Sequence, residues 1–355
     1  MKNERGENMK LDKVLDLYPL EIDKVELLSN RSGRTIWEVE TEDGNKVLKQ
    51  AFMNPRRMVF ITGAHHHLYN QGLPITKIQP TKKGGLCIGS GDSAFVLYDK
   101  VMGKEMSYYN QEHLKKMMEF AGRFHHASKG YKEREESKKR SRLGKWEKLY
   151  RWKIQELEGH KLIAQSYTDD QFSQYFLEHV DEMISRGKRA LKNLIEQSYY
   201  DQWTKQTLQS RSFCQQDFTL ARIVLVEDEP FMRELHSVSY DLPSRDLRII
   251  LNKVMKKMSI WDEKLALHIL ASYDAIHPLN KDQYRVLWTD LLFPHLFCAT
   301  IHKYYLQQKS AWSDEKYMWM LQNIIQVENS KASFLNQFDS HFNHIKEQSK
   351  ERSFT

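Results

Sequence analysis

Cysteine is scarce in this 355-residue chain, and its three examples, Cys87, Cys214 and Cys298, stand far apart. With no CxxC pair, a zinc ribbon or thioredoxin-like centre has no basis. An odd, sparse set suits buried thiols in a protein folded in a reducing compartment. The first segment, Met1 to Lys13, is polar and lacks the apolar core of a secretory signal. Long hydrophobic runs are missing as well. The most apolar stretch, Val286 to Ile301, is interrupted by Asp290, Pro294 and His295, which predicts a core helix with a break and no membrane span. No internal repeat is visible.

What is present is the material of a folded protein. A hydrophobic fraction of 40% and an aromatic fraction of 12% are too high for a disordered chain. The formal net charge of +7 favours acidic partners or surfaces, although such an excess spread over many helices is usually a solvated exterior. Nucleic acid is not expected as a partner, because no recognised binding module or clustered base-reading stretch occurs. The exception to even charge is 129–153, with eleven Lys or Arg, a candidate docking segment for an acidic partner or a polyanionic glycan.

The first hundred residues read as short strands. Val25 to Ser29 and the alternating Thr35 to Thr41 flank a polar turn, Asn30 to Arg34. Asp43-Gly44 is a hairpin signal leading into Lys46-Val47-Leu48-Lys49. Pro55 to Gln71 reads as a helix, and strands follow at Gly85 to Gly89 and Ala94 to Tyr98. After Asp99 helices dominate: Gln111 to His126, Leu143 to Glu158, Asp169 to Glu196, Pro243 to Met258, Asp262 to Asp274, Asp282 to Leu306 and Ser313 to Val327. Ser212 to Cys214, Ile223 to Val226 and Phe231 to Leu235 are strand-like runs within this half. Ser259 and Asp262 suggest a capping box. The order predicts an α+β, bilobal protein-kinase-like fold. It has a small antiparallel-sheet N-terminal lobe (1–99) and a larger, mainly helical C-terminal lobe (100–355) with a short strand insert.

Four segments make the resemblance specific: Ser32-Gly33-Arg34-Thr35-Ile36-Trp37-Glu38-Val39, Phe124-His125-His126-Ala127-Ser128-Lys129-Gly130-Tyr131, Ser141-Arg142-Leu143-Gly144-Lys145-Trp146 and Asp241-Leu242-Pro243-Ser244-Arg245-Asp246-Leu247. Through them the chain resembles the kinase-like family of aminoglycoside phosphotransferases and choline kinases. Within it, the chain resembles the CotS-type spore coat proteins, from about Leu11 to Gln348. The resemblance implies a product of the mother-cell cytoplasm that is laid down in the spore coat beside other coat proteins.

The same resemblance assigns positions in a phosphate-transfer centre. Lys49 falls at the third-strand lysine that contacts phosphates. The helix glutamate that should hold it is missing, since Pro55 to Gln71 carries Arg56, Arg57 and three histidines but no acidic residue. Gly33 is the lone glycine of a loop that commonly has several. Asp217 fills the catalytic-base position, with Gln215 in place of the preceding histidine. Arg222 stands where a magnesium-binding asparagine belongs, and arginine has donors only. Glu234 replaces the metal-binding aspartate, with His236 two residues on.

Three departures at one centre imply a pseudokinase, with no cofactor expected and ATP and Mg²⁺ entering only if nucleotide binding is retained. Arg222 and Glu234 are expected to face one another as an ion pair that also reaches Asp217. The alternative is an active or nucleotide-binding phosphotransferase acting on a sugar or another coat component. His65-His66-His67 offers no chelating geometry, because successive helical residues point about 100° apart.

Overall fold

A computed structural model describes residues 10–31, 33–308 and 311–353. Ser32 of the Asn30 to Arg34 turn and most of the Met1 to Lys13 segment therefore lie outside the described residues. The chain forms two compact units, one from the chain up to Ser107 with Arg123–Ser141 and Ser210–Tyr240, the other from Tyr108–Gly122, Arg142–Gln209 and the chain from Asp241 on.

The first unit contains α1 (Leu11–Leu15), β1 (Ile22–Arg31), β2 (Arg34–Thr41), β3 (Lys46–Phe52), α2 (Pro55–Asn70), β4 (Ile88–Ser90), β5 (Ser93–Asp99), β6 (Lys104–Glu105), the end of α3 (Gln111–Ala127), β7 (Ile223–Val226) and β8 (Glu229–Met232). β1 to β5 make an antiparallel sheet in the order β1-β2-β3-β5-β4, and β6-β7-β8 make a second, three-stranded one. Alternation sets the two faces of the large sheet. Val39, Leu48, Phe95 and Leu97 point to one side, where they form a core with Val14, Leu15 and Tyr18 of α1 and the turn after it. Lys49, paired with Ile36 and Val96, therefore points to the other. The Asp43-Gly44 signal is the β2–β3 turn, with Gly44 at φ +91° and its N–H donating to Thr41 O at 2.9 Å.

Beneath β7 an aromatic cluster gathers from separate segments. Phe218 meets Phe124 edge-on at 5.1 Å, Phe124 meets Phe213 at 5.7 Å, and Tyr131 meets both Phe213 and Phe60. Edge-to-face pairs of this kind fix orientation as well as burying area. The Tyr131 hydroxyl donates to Phe60 O at 2.9 Å. Its approach requires the missing side chain of Gly63, where a Cβ would lie 2.6 Å from the hydroxyl.

The second unit is helical: most of α3, then α4 (Trp146–Ser166), α5 (Gln171–Glu196), α6 (Tyr199–Ser210), α7 (Pro243–Met258), α8 (Glu263–Ile276), α9 (Lys281–Leu292), α10 (His295–Tyr305), α11 (Asp314–Leu335) and α12 (Phe338–Ser353). Three buried carboxylates organise it. Asp290 accepts from Tyr150 Oη at 2.6 Å and pairs with His295 Nε2 at 2.7 Å and Arg248 Nε at 3.1 Å. Asp274 accepts from Tyr284 Oη at 3.0 Å and pairs with Lys346 of α12 at 2.8 Å. Asp241 accepts from the Trp146 indole at 2.9 Å and pairs with Arg245 at 3.3 Å, so its work is to join two of the resemblance segments.

The kinase-like α+β architecture agrees with the reading of the sequence, and the details that differ are local. The apolar run splits into α9 and α10 at Pro294, as its broken pattern indicated. Ser212 to Cys214 gives only an isolated bridge, Cys214 with Ser239. Asp262 caps α8 by accepting from Leu265 N–H, but Ser259 belongs to no capping box. It ends α7 in a left-handed conformation at φ +59°. No helix among the described residues is long and apolar enough to cross a membrane. Cys214 and Cys298 are buried thiols, and Cys87 is half-buried.

Candidate functional site

The residues assigned to a phosphate-transfer centre come from three places in the first unit, and backbone pairing explains how they meet. The β7–β8 hairpin turns through Glu227 and Asp228, both at positive φ (51° and 68°), the twist that tight hairpins favour. Pairing of Ile223 with Met232 sets Arg222 beside Arg233, whose N–H donates to Arg222 O at 2.9 Å. Glu234 follows immediately, so Arg222 and Glu234, the two positions that the resemblance gives to metal ligands, are neighbours across the hairpin mouth. Asp217 lies five residues before Arg222, on a loop whose Gln216 adopts φ +69° and whose Phe218 is anchored in the aromatic cluster.

These side chains form one continuous ionic chain. Lys49 Nζ is 2.6 Å from Glu234 Oε2. Arg222 Nη1 is 3.7 Å from the other oxygen of Glu234, and its Nη2 donates to Asp217 Oδ2 at 3.1 Å. The guanidinium therefore stands between the two carboxylates, the arrangement expected from the charges. Burial alone would raise the pKa of Glu234, but Lys49 and Arg222 outweigh it and hold the carboxyl below its usual range. His236 is pushed down to about 4, first by burial and then by Arg222 and Arg34, so it is neutral at neutral pH.

Further side chains complete the surroundings of this chain of charges, and the contacts of His65 and Thr76 were not read from the sequence. His65 of α2 is buried. Its Nε2 lies 2.6 Å from Thr76 O, and its Nδ1 accepts from Leu235 N–H at 3.4 Å. Both contacts fit one tautomer, with the proton on Nε2. His65 thus ties α2 to the backbone just after Glu234, while Thr76 Oγ1 donates to Arg233 O. Arg34 closes the β1–β2 hairpin opposite Arg31, beside Gly33 at φ +75°, and shares a small cavity with Lys49, Tyr98 and Glu234. The Lys49 ammonium also lies 5.6 Å from the centre of the Tyr98 ring.

The fit to ATP and Mg²⁺ follows from donor chemistry. Magnesium needs oxygen ligands in near-octahedral array. Arg222 presents only N–H donors, and both oxygens of Glu234 face cations. A dication about 4 Å from the guanidinium would meet a repulsion of about 8 kcal/mol at an effective dielectric of about 20. A small cavity lies beside Lys49 and Glu234, lined also by Arg34 and His236. The residues present do not fit the metal.

A separate basic hollow of about 370 Å³ is lined by Arg57, Lys138, Lys139 and Arg140 within the first unit. It gathers part of the basic segment 129–153. Lys138 N–H donates to Arg56 O at 2.8 Å, which holds the segment against the start of α2.

Comparison with known proteins accords with this architecture. Residues 44–338 match the family model described as "Spore coat putative kinase YutH". The chain is 60% identical over 346 residues to spore coat protein S of Bacillus subtilis (strain 168), covering 98% of both chains. Among solved structures it is similar to an aminoglycoside phosphotransferase from Alicyclobacillus acidocaldarius, with a TM-score of 0.77 at 18% identity over 96% of this chain and 99% of that one. A spectinomycin phosphotransferase solved with ADP and spectinomycin gives 0.55 at 13% identity, over 95% and 98%. At these identities the structural likeness shows the fold and nothing of the chemistry.

Proposed function

Since the chain belongs to this spore coat family of kinase-like proteins, we propose that it is a structural and assembly component of the bacterial endospore coat. In this reading its phosphate-transfer centre has become an ionic lock. The observation that carries it is the position of Arg222, bridging Glu234 and Asp217 where a metal ion would have to sit. The charges a kinase neutralises with magnesium are here neutralised by the protein itself. Pseudokinase status, deposition in the coat and contact with other coat proteins are parts of the same proposal. The printed name of the Bacillus subtilis relative supports the last two. The basic hollow around Arg57 and Lys139 is the surface on which an acidic partner or a glycan would dock.

A second reading keeps a phosphotransferase acting on a sugar or another coat component. It is favoured by Lys49 on the third strand and by Asp217, whose side chain is 36% exposed. Genetic replacement separates the two. Lys49→Met and Asp217→Asn should leave coat deposition and spore resistance unchanged, provided the proteins accumulate normally. Loss of coat assembly with folded, abundant variants would favour the enzyme.

A further inference from the structure

The helical unit holds a second cluster of ligating side chains, apart from the centre around Lys49. Glu156 and His160 stand one turn apart on α4, so they project from the same face. His302 of α10 meets them there, with its Nδ1 2.5 Å from Glu156 Oε1. The ligand atoms of all three lie within 4.8 Å of one another.

His160 is the informative member. Its side chain is 7% exposed and stacks on the Tyr305 ring at 5.0 Å, and neither ring nitrogen has a hydrogen-bond partner among the described residues. A buried imidazole left unsatisfied is costly, and native structures rarely retain one without a reason. His65 and His295, buried to the same degree, both have partners.

We propose that Glu156, His160 and His302 form a site for a tetrahedral divalent transition ion, zinc being the best chemical match, that clips α4 to α10. Two imidazoles and one carboxylate with a fourth position for water are a known zinc donor set. Water can enter from a cavity of about 690 Å³ that His160 also lines. Ligand atoms around such an ion stand about 3.3 Å apart, given bonds of about 2.0–2.1 Å. The Glu156–His302 contact must therefore open by somewhat under 1 Å while His160 draws in.

The neighbouring side chains suit that change. His302 Nε2 lies 2.8 Å from Gln308 Nε2, so the ring now accepts there and donates from Nδ1 to Glu156. When the ion takes Nδ1, the ring proton passes to Nε2, and Gln308 turns its amide oxygen to accept it. No net proton is lost and nothing is oxidised. An outer partner of this kind fixes the ring of a metal-bound histidine.

The test uses the full chain, stripped with a chelator and titrated with Co²⁺ as a spectroscopic stand-in. The expected result is the intense visible absorption of tetrahedral cobalt, saturating at one equivalent and abolished when Zn²⁺ competes. His160→Gln and His302→Gln should each weaken binding at least about tenfold, while His126→Gln, at an exposed site on α3, leaves it intact. If the histidine variants misfold, Glu156→Gln keeps the side-chain shape and should still weaken the bands. Absence of tetrahedral absorption in the unaltered protein, or its persistence in both histidine variants, overturns the proposal.

Discussion

Glu234 holds Lys49 at 2.6 Å, doing for the third-strand lysine what a carboxylate on α2 would otherwise do. In α2 that task has no acidic side chain, and the buried His65 instead fixes the backbone that follows Glu234. The residue to which the resemblance gives a metal-ligand position thus anchors the lysine. With Lys49 on one oxygen and Arg222 on the other, both of its oxygens are engaged by the protein's own cations.

This shared role makes the two ends of the chain of charges interdependent. In a double-mutant cycle, Lys49→Met and Glu234→Gln should show a coupling of about 1–3 kcal/mol in chemical denaturation. Glu234→Gln should be the more damaging single change, because it takes the counter-charge from Lys49 and leaves Arg222 with Asp217 alone. Additive effects would mean that the pair is not formed in solution.

Arg222→Ala removes the guanidinium between two carboxylates. The expected loss of stability is about 1–3 kcal/mol, read from the urea midpoint at unchanged m-value. Arg222→Asn, which supplies an amide oxygen, should in addition create a Mg²⁺-dependent response to ATP, where none is expected of the unaltered protein.

Stability should fall as the solution is acidified from about pH 6.5. His65 and His236 are both held down at about 4, His65 chiefly by burial, against about 6.5 in the unfolded chain. The unfolded state therefore binds these protons first, and stability declines between about pH 6.5 and 4. Glu234 is lowered instead from the carboxylate value, so its contribution is intact above about pH 4.5 and is lost below, as pH falls through its folded pKa. Urea unfolding at stepped pH measures the slope. His236→Gln should reduce it by up to one proton, about 1.4 kcal/mol per pH unit. A flat profile between pH 7 and 4.5 would contradict the burial of these rings.

In the helical unit, Asp290 joins α4, α7 and the start of α10 through Tyr150, Arg248 and His295. Asp290→Ala strands a buried arginine and should cost about 3–5 kcal/mol, visible as a lowered thermal midpoint.

Much of this centre was legible because hairpins keep count. The facing of Arg222 and Glu234 was expected because the resemblance gives both residues metal-ligand positions, and the pairing of Ile223 to Val226 with its return strand is what brings them side by side. The link from Lys49 to Glu234 was not legible, since it depends on how β3 approaches the hairpin rather than on any local pattern. His65 was hidden for a related reason. Three consecutive histidines look alike in sequence, and only packing decides that the first is buried. Helix α12 gave no apolar periodicity to read. It is held by tertiary contacts instead, with Ile345 buried and Lys346 and Ser349 bonded to Asp274. At Ser259 a local rule misled, because the residue ends one helix rather than preparing the next.

The most direct test of the central claim is a thermal-shift titration of the purified protein with ATP, with and without Mg²⁺ or Mn²⁺. Nucleotide at 100 times its dissociation constant would stabilise the fold by about 2.7 kcal/mol, a rise of a few degrees. The account predicts no metal-dependent shift in the unaltered protein. A clear rise that requires Mg²⁺ would contradict it, because Glu234 would then bind a cation in spite of Arg222.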